Sequence, residues 1–125
     1  MPDYVQLIDT FLNAYNAKDF DTMRDMMVPD IDMAHYNRNA VFTHRDQLME
    51  VFPIFANLLM PDRKFSPALR VTASGKVVVR ESDFTGTATD DIQNFATKGE
   101  ALKLRLCSVF RFNDDGLIAE WHDHG

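Results

Sequence analysis

The chain has a single cysteine, Cys107, among its 125 residues, so it can form neither an internal disulfide nor a cysteine-based zinc site. Basic residues are in deficit: 13 Lys and Arg stand against 19 Asp and Glu, a formal charge of -6. Nucleic-acid phosphates need a basic face, which argues against nucleic acid as the main partner. No run approaches the ~18 apolar residues of a membrane-spanning helix, so no membrane partner is expected. Met1-Pro2-Asp3 lacks the basic start and apolar run of a secretory signal. The expectation is a cytoplasmic protein. Also missing are a Gly-x-Ser-x-Gly nucleophile elbow, a phosphate-binding loop and a dinucleotide fingerprint. There is no internal repeat, low-complexity segment or linker.

Apolar material is plentiful, at 46% hydrophobic and 11% aromatic residues with ten Phe. This suffices for a core in one domain over residues 1–125. Tyr4, Leu7, Ile8, Phe11, Leu12 and Tyr15 follow helical spacing, with Asp3 placed as the cap. A second short helix starts at Asp19, with Phe20, Met23, Met26 and Met27 on one face, and Pro29 is expected to end it. Ile31–Asn37 reads as a strand. A third helix follows Thr43 with Asp46 in its first turn, and Pro53 predicts a kink or break within it. Beyond Pro61 helical spacing vanishes, and strands are predicted near 66–73, 76–89, 100–113 and 117–124. Ser74-Gly75 and Asp114-Asp115-Gly116 mark hairpin turns. Helices first and a mostly antiparallel sheet after them give an α+β fold, with the helices on one sheet face.

Strand alternation then places several polar groups among apolar ones. In Leu102–Phe112 the even positions face the core, and Ser108 is their one polar member. In the last strand Leu117, Ala119, Trp121 and Asp123 share the more apolar face. His35 and Asn37 share a face with Ile31 and Met33. Val78, Arg80, Ser82, Phe84 and Ala88 form the expected inward set of the long middle strand, although Val77 and Val79 suit the opposite register. Buried polar groups destabilise a fold unless they are hydrogen-bonded or charge-paired. Several on inward faces point to a shared cavity between the concave sheet face and the helices, the character of a small-molecule site.

Plainer readings stand beside this one. His35 fits a satisfied core histidine, Asp123 an exposed tail, and Arg80 a surface residue in the reversed register. Asn37 fits the start of a turn with Arg38 and Asn39. His122-x-His124 offers two metal ligands, but on the face away from the pocket and with no evident third ligand. No metal and no cofactor is expected. Cys107 falls on the outward set without a local histidine, so nucleophilic thiol chemistry is not expected.

Three segments resemble the nuclear transport factor 2-like superfamily, a cone-shaped α+β barrel: Phe11–Asp19, Val28–Asp32 and Cys107–Trp121. Within it the chain is most similar to SnoaL-like polyketide cyclases and limonene epoxide hydrolases. The hydrolases use a Tyr-x-Asn pair, an Arg-x-Asp pair and an Asp after the final Trp. The matching positions here are His35-x-Asn37, Arg80-x-Ser82 and Asp123. Ketosteroid isomerases place their functional groups at Phe11, His35 and Ser108, and all three differ here. The resemblance also implies a homodimer through the outer sheet face, which carries Lys103, Arg105, Val109, Arg111, Ile118, Glu120 and His122.

The resulting expectation is a cofactor-independent enzyme using acid-base chemistry (hydration, elimination, cyclisation or epoxide opening) on a small apolar, carbonyl- or epoxide-bearing molecule. Asp123 is assigned as base, His35 as its acid-base partner, Arg80 as the charge holding Asp123 ionised, and Asn37 as the group positioning water or a substrate oxygen. Tyr15, Phe52, Phe55, Ser82, Phe84, Ser108, Phe110 and Trp121 are expected to line the pocket. The alternatives are a non-catalytic ligand-binding protein and an interaction module with a collapsed core.

Overall fold

The structure, a computed structural model, describes residues 3–125. The reading of the chain's start at Met1 and Pro2 lies outside the described residues. Helix α1 runs Tyr4–Asn16, and the Asp3 side chain accepts from the Gln6 N–H as its cap. Helix α2, Phe20–Asp25, is capped in the same way by Asp19. Strand β1, Met27–His35, begins before Pro29 rather than after it. Pro29 ends no helix. It lies in an irregular stretch of the ladder, between Met27 and Asp32, where a missing N–H is tolerated.

The strand also stops short of Asn37. A 3-10 turn, Tyr36–Arg38, follows, with Asn39 left-handed at φ 54°, so the turn reading of Asn37 is the one realised. A short strand β2, Ala40–Phe42, then pairs antiparallel with the end of β1. Helix α3, Arg45–Ile54, carries a capping box of His44 and Gln47. Pro53 cannot donate into the helix, and just beyond it the backbone widens into a π turn, Phe55–Leu59, closed by the Met60 N–H on the Phe55 carbonyl at 2.8 Å.

The remaining strands are β3 (Lys64–Phe65), β4 (Arg70–Ser74), β5 (Val77–Thr87), β6 (Ala101–Phe112) and β7 (Ile118–His124). They form one curved, unclosed sheet in the order β2-β1-β7-β6-β5-β3, with β4 also on β5. Only β1 and β7 run parallel among the paired strands described. In β5 every even residue from Val78 to Gly86 is buried, which selects the inward register for Arg80, Ser82 and Phe84. In β6, Leu106, Ser108, Phe110 and Phe112 are buried as expected. In β7 the alternation breaks. A register shift at Arg111/Phe112 turns Ile118 into the core together with Trp121, so Ile118 is not an outer-face residue.

Helix α1 packs its apolar stripe on the concave face. Phe11 stands edge-on to Trp121 at 5.3 Å, and Trp121 stacks on Phe110 at 5.7 Å. Each such fully buried aromatic contributes about 1.5–3 kcal/mol by leaving water. Arg63, also buried, lays its guanidinium 4.2 Å over the Tyr15 ring and donates to the Tyr15 carbonyl at 2.7 Å. It thereby adds a second donor to a carbonyl at the end of α1 that also accepts from the Lys18 N–H at 3.1 Å. No described helix is long and apolar enough to cross a membrane.

Candidate functional site

A cavity of about 450 Å³ opens between the concave sheet, α3 with its π turn, and the loop joining β5 to β6. Its wall is mostly apolar: Phe42, Leu48, Phe52, Phe55, Phe65, Phe84 and Leu106 supply much of it. A few polar groups interrupt this lining, namely Asp123, His35, Arg38 and Gln93, with the Tyr15 and Trp121 rings between them. That is the composition of a small-molecule pocket.

Asp123 sits on β7 and is only 3% exposed, so the exposed-tail reading does not hold. The Trp121 indole Nε1 donates to its Oδ1 at 2.9 Å. Ser108 is its cross-strand neighbour on β6, and His35 its parallel neighbour on β1. Burial pushes the Asp123 carboxyl up to about 6. Ser108, Trp121 and His122 partly offset this by favouring the carboxylate. The Ser108 hydroxyl makes no full hydrogen bond, so its part is that of a nearby dipole, and the indole contact is the firm one.

His35 is half-buried, and its Nε2 is buried without a partner. Desolvation holds the imidazole below its ordinary range. Arg38 and His124 add to the effect, while the Gly125 backbone opposes it. The ring is therefore mainly neutral near pH 7 and can donate or accept a proton. Tyr15 is fully buried, and desolvation drives its hydroxyl well above the usual phenol range, so it stays protonated.

The sequence-predicted residues divide clearly. His35, Asp123, Tyr15, Phe52, Phe55, Phe84 and Trp121 all line this cavity. Asn37 does not: it is exposed in the 3-10 turn, because β1 ends at His35 and the chain turns away. Arg80 does not either. It lies in the same cross-strand row as Asp123, but Ser108 stands between them. Two strand spacings are roughly 10 Å. The Arg80 guanidinium instead donates to the Ser66 carbonyl at 2.7 Å and borders a second cavity, between α1 and the β3–β4 segment. The carboxylate that acts on it is Asp9, and Arg80 is not among the groups that favour the Asp123 carboxylate. Ser82, Ser108 and Phe110 are fully buried behind the wall rather than on it.

Sequence reading missed Arg38, Gln93, Ile92 and Phe95, which all line the cavity. They come from a turn and a loop, where no periodicity marks an inward position. Near His122, the ligand atoms of Asp32, Glu120 and His122 lie within 4.8 Å of one another on the outer face. Glu120 is ion-paired to Arg111, while His124 packs at a tilt against Tyr36, ring centres 4.9 Å apart, instead of joining the group.

Residues 8–121 match the family model described as a SnoaL-like domain. Among curated proteins no sequence matches the chain. Among solved structures, it is similar to a provisionally assigned polyketide cyclase from Xanthomonas campestris pv. campestris. That pair has a TM-score of 0.81 and 20% identity, covering 98% of this chain and 89% of the other. An LEH-like epoxide hydrolase from M. tuberculosis gives a TM-score of 0.75 at 19% identity, over 96% and 80% of the two chains. An NTF2-like protein of unknown function from Burkholderia pseudomallei K96243 gives 0.78 at 18% identity, over 99% and 91%.

Proposed function

This chain belongs to the SnoaL-like domain family, and we propose that it is a small-molecule enzyme that moves protons with Asp123 and His35. The observation carrying this reading is a 3%-exposed carboxylate, with its pKa pushed up to about 6, in the wall of an apolar cavity. A carboxyl tuned close to neutrality is ionised enough at pH 7 to accept a proton and basic enough to take one from a weak acid. The Trp121 indole fixes its orientation. The substrate is a small, largely apolar molecule with a carbonyl or epoxide. Asp123 removes a proton from carbon or water, and the unpartnered His35 Nε2 meets the substrate oxygen where charge develops. The polyketide cyclase and epoxide hydrolase assignments of the similar structures support this substrate class.

The test is turnover of cyclic ketones, 1,3-dicarbonyls and epoxides, followed by NMR in D2O. Deuterium entering beside a carbonyl, or epoxide opening, is expected from the wild type. Asp123→Asn should slow it by about 10²-fold or more, the usual size of a lost general base. Binding without exchange or product across the panel would favour the second reading, a ligand-binding protein of the same fold. A homodimer through the outer sheet face is part of the proposal. Light scattering should give twice the 14.4 kDa chain mass, and a value near 14.4 kDa would remove it.

A further inference from the structure

Arg38 is the one cation lining the main cavity among the described residues. Its Nε is buried without a hydrogen-bond partner, and no described carboxylate lies within ion-pairing distance of it. The guanidinium carbon lies 5.2 Å from the centre of the Phe95 ring, which also lines the cavity. Arg38 is only partly buried, so its guanidinium sits at the cavity wall where a ligand can reach it. Arg105 and Arg111, by contrast, reach carboxylates on the outer sheet face, Arg105 meeting Asp83 at 2.8 Å.

We infer that Arg38 is a specificity residue and that the ligand of this cavity is an apolar, ring-sized molecule carrying a carboxylate. The inference rests on the reading that this cavity is the ligand site, and it adds the ligand's charge. A guanidinium presents paired N–H donors in a flat fork that matches the two oxygens of a carboxylate. The aromatic walls at Phe52, Phe55, Phe84 and Phe95 take the ring system. Asp123 and Arg38 both line the cavity and make no ion pair with each other, so a carboxylate held by Arg38 leaves Asp123 free for the reacting atom. Arg38 also holds the His35 imidazole towards its neutral form, consistent with a cation close to the acid-base pair.

The experiment titrates 2-naphthoate and 2-naphthamide into the protein at pH 7.5, following the indole N–H signal of Trp121 by NMR. Trp121 is the only tryptophan in the chain and lines the cavity. Arg38→Met should weaken naphthoate by about tenfold or more, the effect of a lost charge-assisted hydrogen bond, and move naphthamide by less than about twofold. Arg38→Lys should recover part of the loss. Equal weakening of both probes, or none, overturns the inference. If both probes bind and only the charge dependence is absent, the acid-base reading stands and this inference alone falls. If neither probe shifts the indole signal, the cavity is not a ligand site and both fall.

Discussion

Replacing Asp123 with Asn should stabilise the protein at neutral pH and not at acid pH. In the fold the carboxyl is moved from its ordinary 3.8 to about 6. Keeping it ionised in the folded chain therefore costs roughly 3 kcal/mol. The sign follows from proton binding. Between about pH 4 and 6 the folded chain still holds a proton that the unfolded chain has released. Stability from this group is thus full below pH ~4, falls as pH rises through ~6, and is flat above that. The amide of the Asn variant keeps the shape of the carboxyl, and its oxygen accepts from the Trp121 indole as the carboxylate does. It has no charge to desolvate, so its own contribution does not change with pH.

Urea unfolding of both proteins at half-unit steps from pH 3.5 to 8 isolates the effect. The lowered pKa of His35 and the surface carboxylates act in both and cancel in the difference. The Asp123→Asn advantage over wild type should grow by about 3 kcal/mol across that range, most of it between pH 4 and 6. At a slope of about 2 kcal/mol per molar urea, this is a midpoint gain of between one and two molar. A difference that stays constant with pH, or that shrinks as pH rises, would mean that Asp123 is not a desolvated carboxyl.

Three other outcomes follow from the packing. Trp121→Phe removes the N–H that favours the carboxylate, so the Asp123 pKa should rise further, by about one unit, in a carboxyl NMR titration. Phe11→Ala empties a fully buried position against Trp121 and Phe110, and urea unfolding should show a loss of about 3–5 kcal/mol. Gly86→Ala places a Cβ against the Met60 side chain and 3.2 Å from the Arg63 Cα, in a site where Met60 is fully buried. Thermal unfolding should show destabilisation of about 1–3 kcal/mol.

Regular elements were legible from the sequence because burial imposes a period. The stripe through Phe11 and Tyr15 and the alternation through Ser108 and Phe110 reappear unchanged in the fold. Pro29 misled because it is tolerated where the β1–β7 ladder is irregular, a tertiary circumstance no local pattern reveals. Ile118 misled because a bulge of one residue resets alternation. The cavity wall was legible where strands supply it. His35 and Asp123 could be paired because both interrupt apolar faces, and the sheet makes them neighbours. Arg80 shared their row, but a long side chain chooses its partner by local geometry, and the Ser66 carbonyl was that partner. Arg38 and Phe95 reach the cavity from irregular segments, where only the folded path brings them inward.

On the proposed function, Asp123 is a desolvated carboxyl poised for proton transfer. A 13C NMR titration of the aspartate carboxyls, with Asp123→Asn identifying the signal, tests it most directly. The Asp123 carboxyl should titrate with a midpoint at about 6. A midpoint at the ordinary 3.8 would mean a solvated, unperturbed carboxylate and would contradict it.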